Sequence, residues 1–128
     1  IGEADILLGI FGTTDKANRV IPNKVYQALA CGRPVVTQLS QAYPSALREL
    51  PAEQAGISWV PPGQPQAIAD TVRQLAEQRR SLGQRSRAAR QTFDRWFSNE
   101  QIRASLAAAL KRPCIASRQP AAVEATQC

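Results

Sequence analysis

The chain has 128 residues, with 16 Lys and Arg against 10 Asp and Glu, a formal charge of +6 and no histidine. That length supports one domain with a core of its own, while the missing histidine removes imidazole acid–base chemistry and imidazole metal ligands. Cys31, Cys114 and Cys128 are odd in number and lack a Cys-x-x-Cys spacing, which reads as reduced thiols rather than a disulfide framework or a zinc site.

No apolar run approaches the eighteen or so residues of a membrane-spanning helix. Ile1-Gly2-Glu3-Ala4-Asp5 carries neither an initiating Met nor a signal peptide and runs almost directly into a strand. The expectation is a cytoplasmic piece of a longer protein, with peripheral membrane contact left open. A pI near 9.9 suits an anionic partner, be it nucleic acid, phosphate or a membrane surface. An Arg-rich helix face that is merely solvated accounts for the same charge and is the commoner case.

Ile6 to Phe11 is an apolar run of strand length, closed by Gly12, with the composition of a central parallel strand. Gly12 to Arg19 follows as a polar loop. Pro22 and Asn23 mark a helix start, where Asn23 is suited to capping free backbone N–H groups. Val25, Ala28 and Leu29 give that short helix one apolar face. Gly32 stands where a left-handed stop is wanted, and Pro34 prevents continuation. Pro34 to Thr37 is short, β-branched and uncharged, as a strand covered on both faces should be. Cys31, beside Gly32, is expected to be a small packed residue.

Gln38 to Tyr43 reads as a polar crossover, and Pro44-Ser45 as the start of a short helix through Leu50. Gly56 to Val60 is a third strand, stopped by Pro61-Pro62-Gly63. Pro65 suits the first position of the next helix, where a missing N–H costs nothing. Ile68, Val72, Leu75 and Ala76 form its apolar stripe, with Arg73, Gln74 and Glu77 pointing away. Leu82-Gly83 is expected to interrupt it, and a second helical stretch runs through Ala89, Phe93 and Trp96. Arg79, Arg80, Arg85, Arg87, Arg90 and Arg95 make up the polar face of that stretch. Ser98 and Gln101 form a capping box, and Ile102, Leu106 and Ala109 or Leu110 are expected to be the buried stripe of a last helix. From Arg112 onward no periodicity remains, so residues 1–111 read as the folded domain and 112–128 as a disordered tail.

A helix that opens in a loop beside a cation is a natural anion site, because its free N–H groups point outward and its dipole favours negative charge there. Lys24 adds a full charge in the first turn of the helix that starts near Asn23, so a phosphate or diphosphate is the expected ligand. A solvated helix end fits the same spacing. In an open α/β sheet, ligands bind beyond the carboxyl ends of the strands. That placement makes Lys16, Arg19 and Lys24 a cationic rim for a diphosphate, held with Asn23 and Val25.

These segments resemble the C-terminal, nucleotide-sugar-binding domain of retaining glycosyltransferases of family 4, the glycosyl transferases group 1, which have the GT-B fold. The resemblance is carried by Ala4-Asp5-Ile6-Leu7-Leu8-Gly9 and by Gln27-Ala28-Leu29-Ala30-Cys31-Gly32-Arg33-Pro34-Val35-Val36. It resumes at Val60-Pro61-Pro62-Gly63 and at Phe97-Ser98, and spans residues 1 to about 111. It implies an α/β fold with a partial Rossmann-like parallel sheet and C-terminal helices. Three strands fall short of a complete doubly wound sheet of about six. The first half of the domain and the acceptor-binding domain are therefore expected to lie outside this chain.

The same resemblance implies a UDP- or GDP-sugar as donor, a glycan or lipid-linked acceptor, no cofactor and no metal. Of the two Glu residues, separated by seven others, that the family places here, the second falls on Gln27. That residue would bond the nucleotide ribose, without charge assistance. The first falls on Arg19, which reverses the charge. Glu49 is the nearest match to a residue that approaches the donor sugar, and it fits a surface carboxylate equally well. By itself the fragment is expected to bind donor weakly and turn nothing over. The competing reading is a basic module for nucleic acid or anionic surfaces that uses the Arg-rich helix.

Overall fold

Val35–Gln38 (β2) is buried at all four positions, and the rest of the molecule is layered around it. The computed structural model describes residues 1–111, so the expectation for the 112–128 tail lies outside the described residues. β2 pairs in parallel with Leu7–Leu8 (β1) on one side and Ile57–Val60 (β3) on the other, in the order β1-β2-β3. Register runs Leu7 opposite Val35 and Val35 opposite Ile57. The architecture is thus mixed α/β around a small parallel sheet.

β1 is shorter than the Ile6–Phe11 run led one to expect. Beyond Leu8 the segment stays alongside β2, with Gly9 N–H bonded to the Val36 carbonyl at 2.8 Å and Gln38 N–H to the Ile10 carbonyl at 3.1 Å. The Thr37 hydroxyl intervenes between them, accepting from Ile10 N–H and donating to its carbonyl, each at 3.3 Å. A side chain thus takes over bonds the ladder would have made.

Alternation along the strands sends apolar side chains to both faces. On one face Val35 and Ile57 pack with Val25, Leu29, Leu47, Ala55 and Ala89. On the other, Val36 and Val60 meet Leu75, with Ile68 and Val72 against them. A sheet clad on both faces is the usual condition for parallel strands. The helices around it are Asp15–Arg19 (α1), Asn23–Ala30 (α2), Ser45–Arg48 (α3), Ala52–Ala55 (α4), Pro65–Glu77 (α5) and Leu82–Thr92 (α6), and Asn99–Leu110 (α7) follows without a buried residue.

Several local expectations are met. Gly32 ends α2 with φ of 62°, Pro65 stands in the first turn of α5, and the Ser98 side chain accepts from Gln101 N–H at the start of α7. Others are corrected. Pro22 occupies the N-cap of α2 and Asn23 is the first helical residue, so Asn23 makes no side-chain cap. The helix expected from Ser45 to Leu50 is a single turn that ends at Arg48, and a further one-turn helix, α4, starts after Pro51. The break after α5 comes as a 3₁₀ turn at Arg79–Ser81, and α6 then starts at Leu82 with Gly83 in its first turn. Ala76 is exposed beside the buried Leu75, and Cys31 is exposed at the C-cap of α2, where the chain turns away from the core.

Two further corrections concern faces rather than ends. Arg85, assigned above to the solvated side of the Arg-rich stretch, is only 5% exposed. It donates to Glu53 Oε1 at 2.5 Å and to Ser58 Oγ at 3.3 Å, tying α6 to α4 and β3. Gly56 explains why α6 sits so close: with φ of 66°, a Cβ there would lie 2.4 Å from the Ala89 amide nitrogen. Conversely, the apolar stripe of α7 is not buried, since Ile102, Leu106 and Leu110 are 53%, 59% and 79% exposed. Spacing marks an apolar face but not what covers it.

Candidate functional site at the carboxyl edge of the sheet

α2 leaves the carboxyl end of β1 by way of α1 and delivers the chain to the amino end of β2. A crossover helix with that route between parallel strands has its N-terminus on the carboxyl edge of the sheet. Within its first turn the amides of Asn23 and Lys24 have no carbonyl four residues back to bond. The Val25 amide is already used, donating to the Pro22 carbonyl at 2.9 Å, and its side chain is fully buried. Asn23 and Lys24 are exposed, and the first turn of α2 contains no acidic residue. That helix end therefore carries two free amides, the positive pole of eight residues and a lysine charge.

The other rim cations lie on α1. Arg19 pairs with Asp15 one turn earlier at 3.1 Å, both side chains open to solvent. An exposed pair of this kind is worth about 0.2–1 kcal/mol, too little to hold Arg19 from an incoming anion. Lys16 and Lys24 have no ion-pair partner among the described residues. Gln27 is exposed and falls four residues after Asn23, so the two share one face of α2. Glu49 is different. It is exposed at the C-cap of α3, and Leu47 and Leu50 on either side of it turn toward the core.

Beside α1 a polar cleft of about 160 Å³ opens at the carboxyl ends of the strands, lined by Gly12 to Asp15, Asn18, Gln38 and Pro62. The loop after β1 and the turn after β3 meet over it: Thr13 lies so near Gly63, whose φ is 69°, that a Cβ there would approach the Thr13 methyl to 2.7 Å. Gln38 forms the floor at 1% exposure, its Nε2 donating to the Ala17 carbonyl at 3.1 Å. Its Oε1 is buried without a partner, an arrangement that costs about 1–3 kcal/mol if left unanswered. An adjoining apolar groove of about 310 Å³, between Leu39, Trp59, Val60 and Pro61, shares Pro62 as its wall.

Sequence reasoning missed Gln38, Thr13, Thr14, Asp15 and Asn18 as site residues. One signal was available: a strand read as buried on both faces, Pro34 to Thr37, runs straight into a glutamine. None of Lys16, Arg19, Asn23, Lys24, Gln27 and Glu49 lines this cleft. A second cleft, of about 400 Å³, lies away from the sheet edge between α4 and α6, with Arg87 and Arg95 at its walls.

Comparison with protein-family models, with curated proteins and with solved structures gave no match to this chain. Among the described residues no helix is long and apolar enough to cross a membrane.

Proposed function

We propose that the chain is the donor-binding part of a glycosyltransferase, taking a nucleotide-diphosphate sugar whose glycosyl group passes to an acceptor held by a further domain. The observation that carries this reading is the open first turn of α2, with Lys24 exposed and no acid beside it. The motifs that resemble the family 4 glycosyltransferases supply the rest of its support.

Glycosyl transfer builds negative charge on the departing diphosphate. Fixed N–H dipoles and a nearby cation lower the energy of that charge most effectively where they need not reorganise as it forms. In this reading Asn23 and Lys24 amides, the Lys24 ammonium and, once released from Asp15, Arg19 receive the diphosphate, with Lys16 at the outer rim. Gln27, on the same face as Asn23, accepts from a ribose hydroxyl. Glu49, exposed at the C-cap of α3, would approach the donor sugar on the strength of the family resemblance alone.

The second reading, a basic module for nucleic acid or an anionic surface, is favoured by the cleft that holds Arg87 and Arg95. Titrating the chain with UDP and GDP, and separately with an oligonucleotide over a range of salt, separates the two. Saturable nucleotide binding supports the donor reading. Oligonucleotide binding alone, falling steeply with salt, supports the second.

A further inference from the structure

Six arginines mark the stretch from Arg79 to Arg95, and the fold commits half of them. Arg79 pairs with Asp5 at 3.2 Å, Arg85 is buried against Glu53, and Arg90 pairs with Asp94 and donates to the Ala30 carbonyl. Arg80, Arg87 and Arg95 have no ion-pair partner among the described residues. Of those three, Arg87 and Arg95 stand at the wall of the cleft of about 400 Å³ between α4 and α6. The short side chain of Ala88, 5% exposed, leaves room between the longer ones. Gln84 and Gln91 line the cleft from the same helix and Gln54 from α4. Glu53 is the one acid among the lining residues, and Arg85 already answers its charge at 2.5 Å.

The helix departs from α geometry to complete this wall. Eight residues of α-helix turn through about 800°, which would leave Arg95 about 80° round the axis from Arg87. Phe93–Phe97 is instead a π-turn, with more residues to each turn, so it rotates Arg95 back toward the face of Arg87 and Gln91. Such turns are rare and concentrate at functional sites. The Arg95 guanidinium lies over the Trp96 ring, 5.2 Å from its centre. Roughly two turns of helix, on the order of 10 Å, separate the two arginines along the axis, a spacing for two anionic groups on a short spacer. Guanidinium forks match phosphate oxygens, and the glutamine amides can donate to a phosphate and accept from hydroxyls. The volume falls in the range of small-molecule sites. A nucleic-acid strand would need free cations to continue along the helix, where Arg79, Arg85 and Arg90 are already engaged. We propose that this cleft binds a small hydroxylated bisphosphate, of the sugar-bisphosphate class, with one phosphate on Arg87 and the other on Arg95. The proposal is independent of the donor reading, since the cleft shares no residue with the first turn of α2. The same chemistry occurs free in solution and on the headgroup of a phosphorylated inositol lipid.

The test is amide NMR of the whole chain during titration with fructose-1,6-bisphosphate, inorganic phosphate and an oligonucleotide. Sedimentation with vesicles containing phosphatidylinositol bisphosphate, and with phosphatidylserine vesicles, accompanies it. Fructose-1,6-bisphosphate should move the Gln54, Arg87, Gln91 and Arg95 amides saturably and bind at least about tenfold more tightly than inorganic phosphate. Arg87→Ala and Arg95→Ala, both at exposed positions where substitution disturbs folding little, should each weaken it by about tenfold, as loss of a charged contact should. Arg80→Ala, which removes the same charge outside the cleft, should leave it unchanged.

Binding that Arg80→Ala weakens as much as Arg87→Ala does would overturn the site, because bulk charge then accounts for it. Inorganic phosphate binding as tightly as the bisphosphate overturns the pairing of two anionic groups. Where the soluble bisphosphate leaves the cleft still, the vesicles decide. Selective binding to phosphatidylinositol bisphosphate, lost in Arg87→Ala and Arg95→Ala, supports the site with a lipid headgroup as its source, and equal binding to both kinds of vesicle overturns it. An oligonucleotide that moves these amides at lower concentration than the bisphosphate overturns the proposal in favour of nucleic acid. No response to any probe overturns it outright. The donor reading is tested separately, at Asn23 and Lys24.

Discussion

The side-chain amide of Gln38 donates to the main-chain carbonyl of Ala17 at 3.1 Å, in the buried space between the end of β2 and α1. This bond joins the strand that organises the sheet to the helix that walls the cleft. It also orients the Gln38 acceptor and leaves it without a partner.

Tyr43 gives the fold an alkaline limit. Its ring is buried edge-on against Trp59, with centroids 4.8 Å apart. Burial pushes its phenol up to about 12 from 10.0; a nearby Thr37 hydroxyl lowers it in part and the Tyr26 phenol raises it. The Tyr43 hydroxyl nonetheless meets no hydrogen-bond partner. A phenol whose folded pKa lies above its unfolded value keeps its proton longer in the native state, so the unfolded chain binds fewer protons between pH 10 and 12. Stability is whole below pH 10 and falls as pH rises through that window, by about 2–3 kcal/mol for a shift of this size. Tyr43→Phe should be near neutral at pH 7 and show a shallower alkaline decline. Urea denaturation of both proteins from pH 8 to 12 checks this, and parallel declines would refute it.

Arg85 should behave as a core residue despite its charge. Its guanidinium bridges Glu53 and Ser58 from a position 5% exposed. Arg85→Ala removes both bonds and leaves a hole between α6 and α4, and a loss of about 2–4 kcal/mol is expected. Arg85→Met, which fills the space without the bonds, should lose about half as much, since Glu53 is half exposed and can be solvated. Denaturation midpoints measure both. Arg87→Ala, at an exposed position on the same helix, should change stability by under about 0.5 kcal/mol.

These residues show what was legible in the sequence and what was not. The 23–30 helix, its glycine stop and the parallel strands followed from punctuation by Pro22, Gly32 and Pro34 and from the β-branched run after them. All of these are local and carry their own physics. Arg85 and Arg87 could not be told apart, because which side of α6 is covered depends on Gly56 allowing that helix to approach, a contact 33 residues distant in the chain. The open end of α2 was foreseen from its spacing, although Asn23 sits one position inside it. A crevice at the carboxyl ends of the strands was expected, but not Gln38 in it, since the cleft exists only where the connection after β1 and the turn after β3 converge on that side chain.

The stripe of α7 offers a check on the reverse error. Leu106 is 59% exposed, so Leu106→Glu in the isolated chain should shift stability by no more than about 0.5 kcal/mol. A loss of several times that amount, read from thermal unfolding, would mean that this face is covered in solution.

Binding of a diphosphate at the first turn of α2 decides the donor reading. Amide NMR of the chain during titration with UDP measures this directly at Asn23 and Lys24. The prediction is saturable movement of those two amides, with Lys24→Ala weakening the binding by about tenfold, as loss of a charge-assisted contact should. Amides at Asn23 and Lys24 that stay unmoved up to saturating UDP, or movement that Lys24→Ala leaves unchanged, would contradict it.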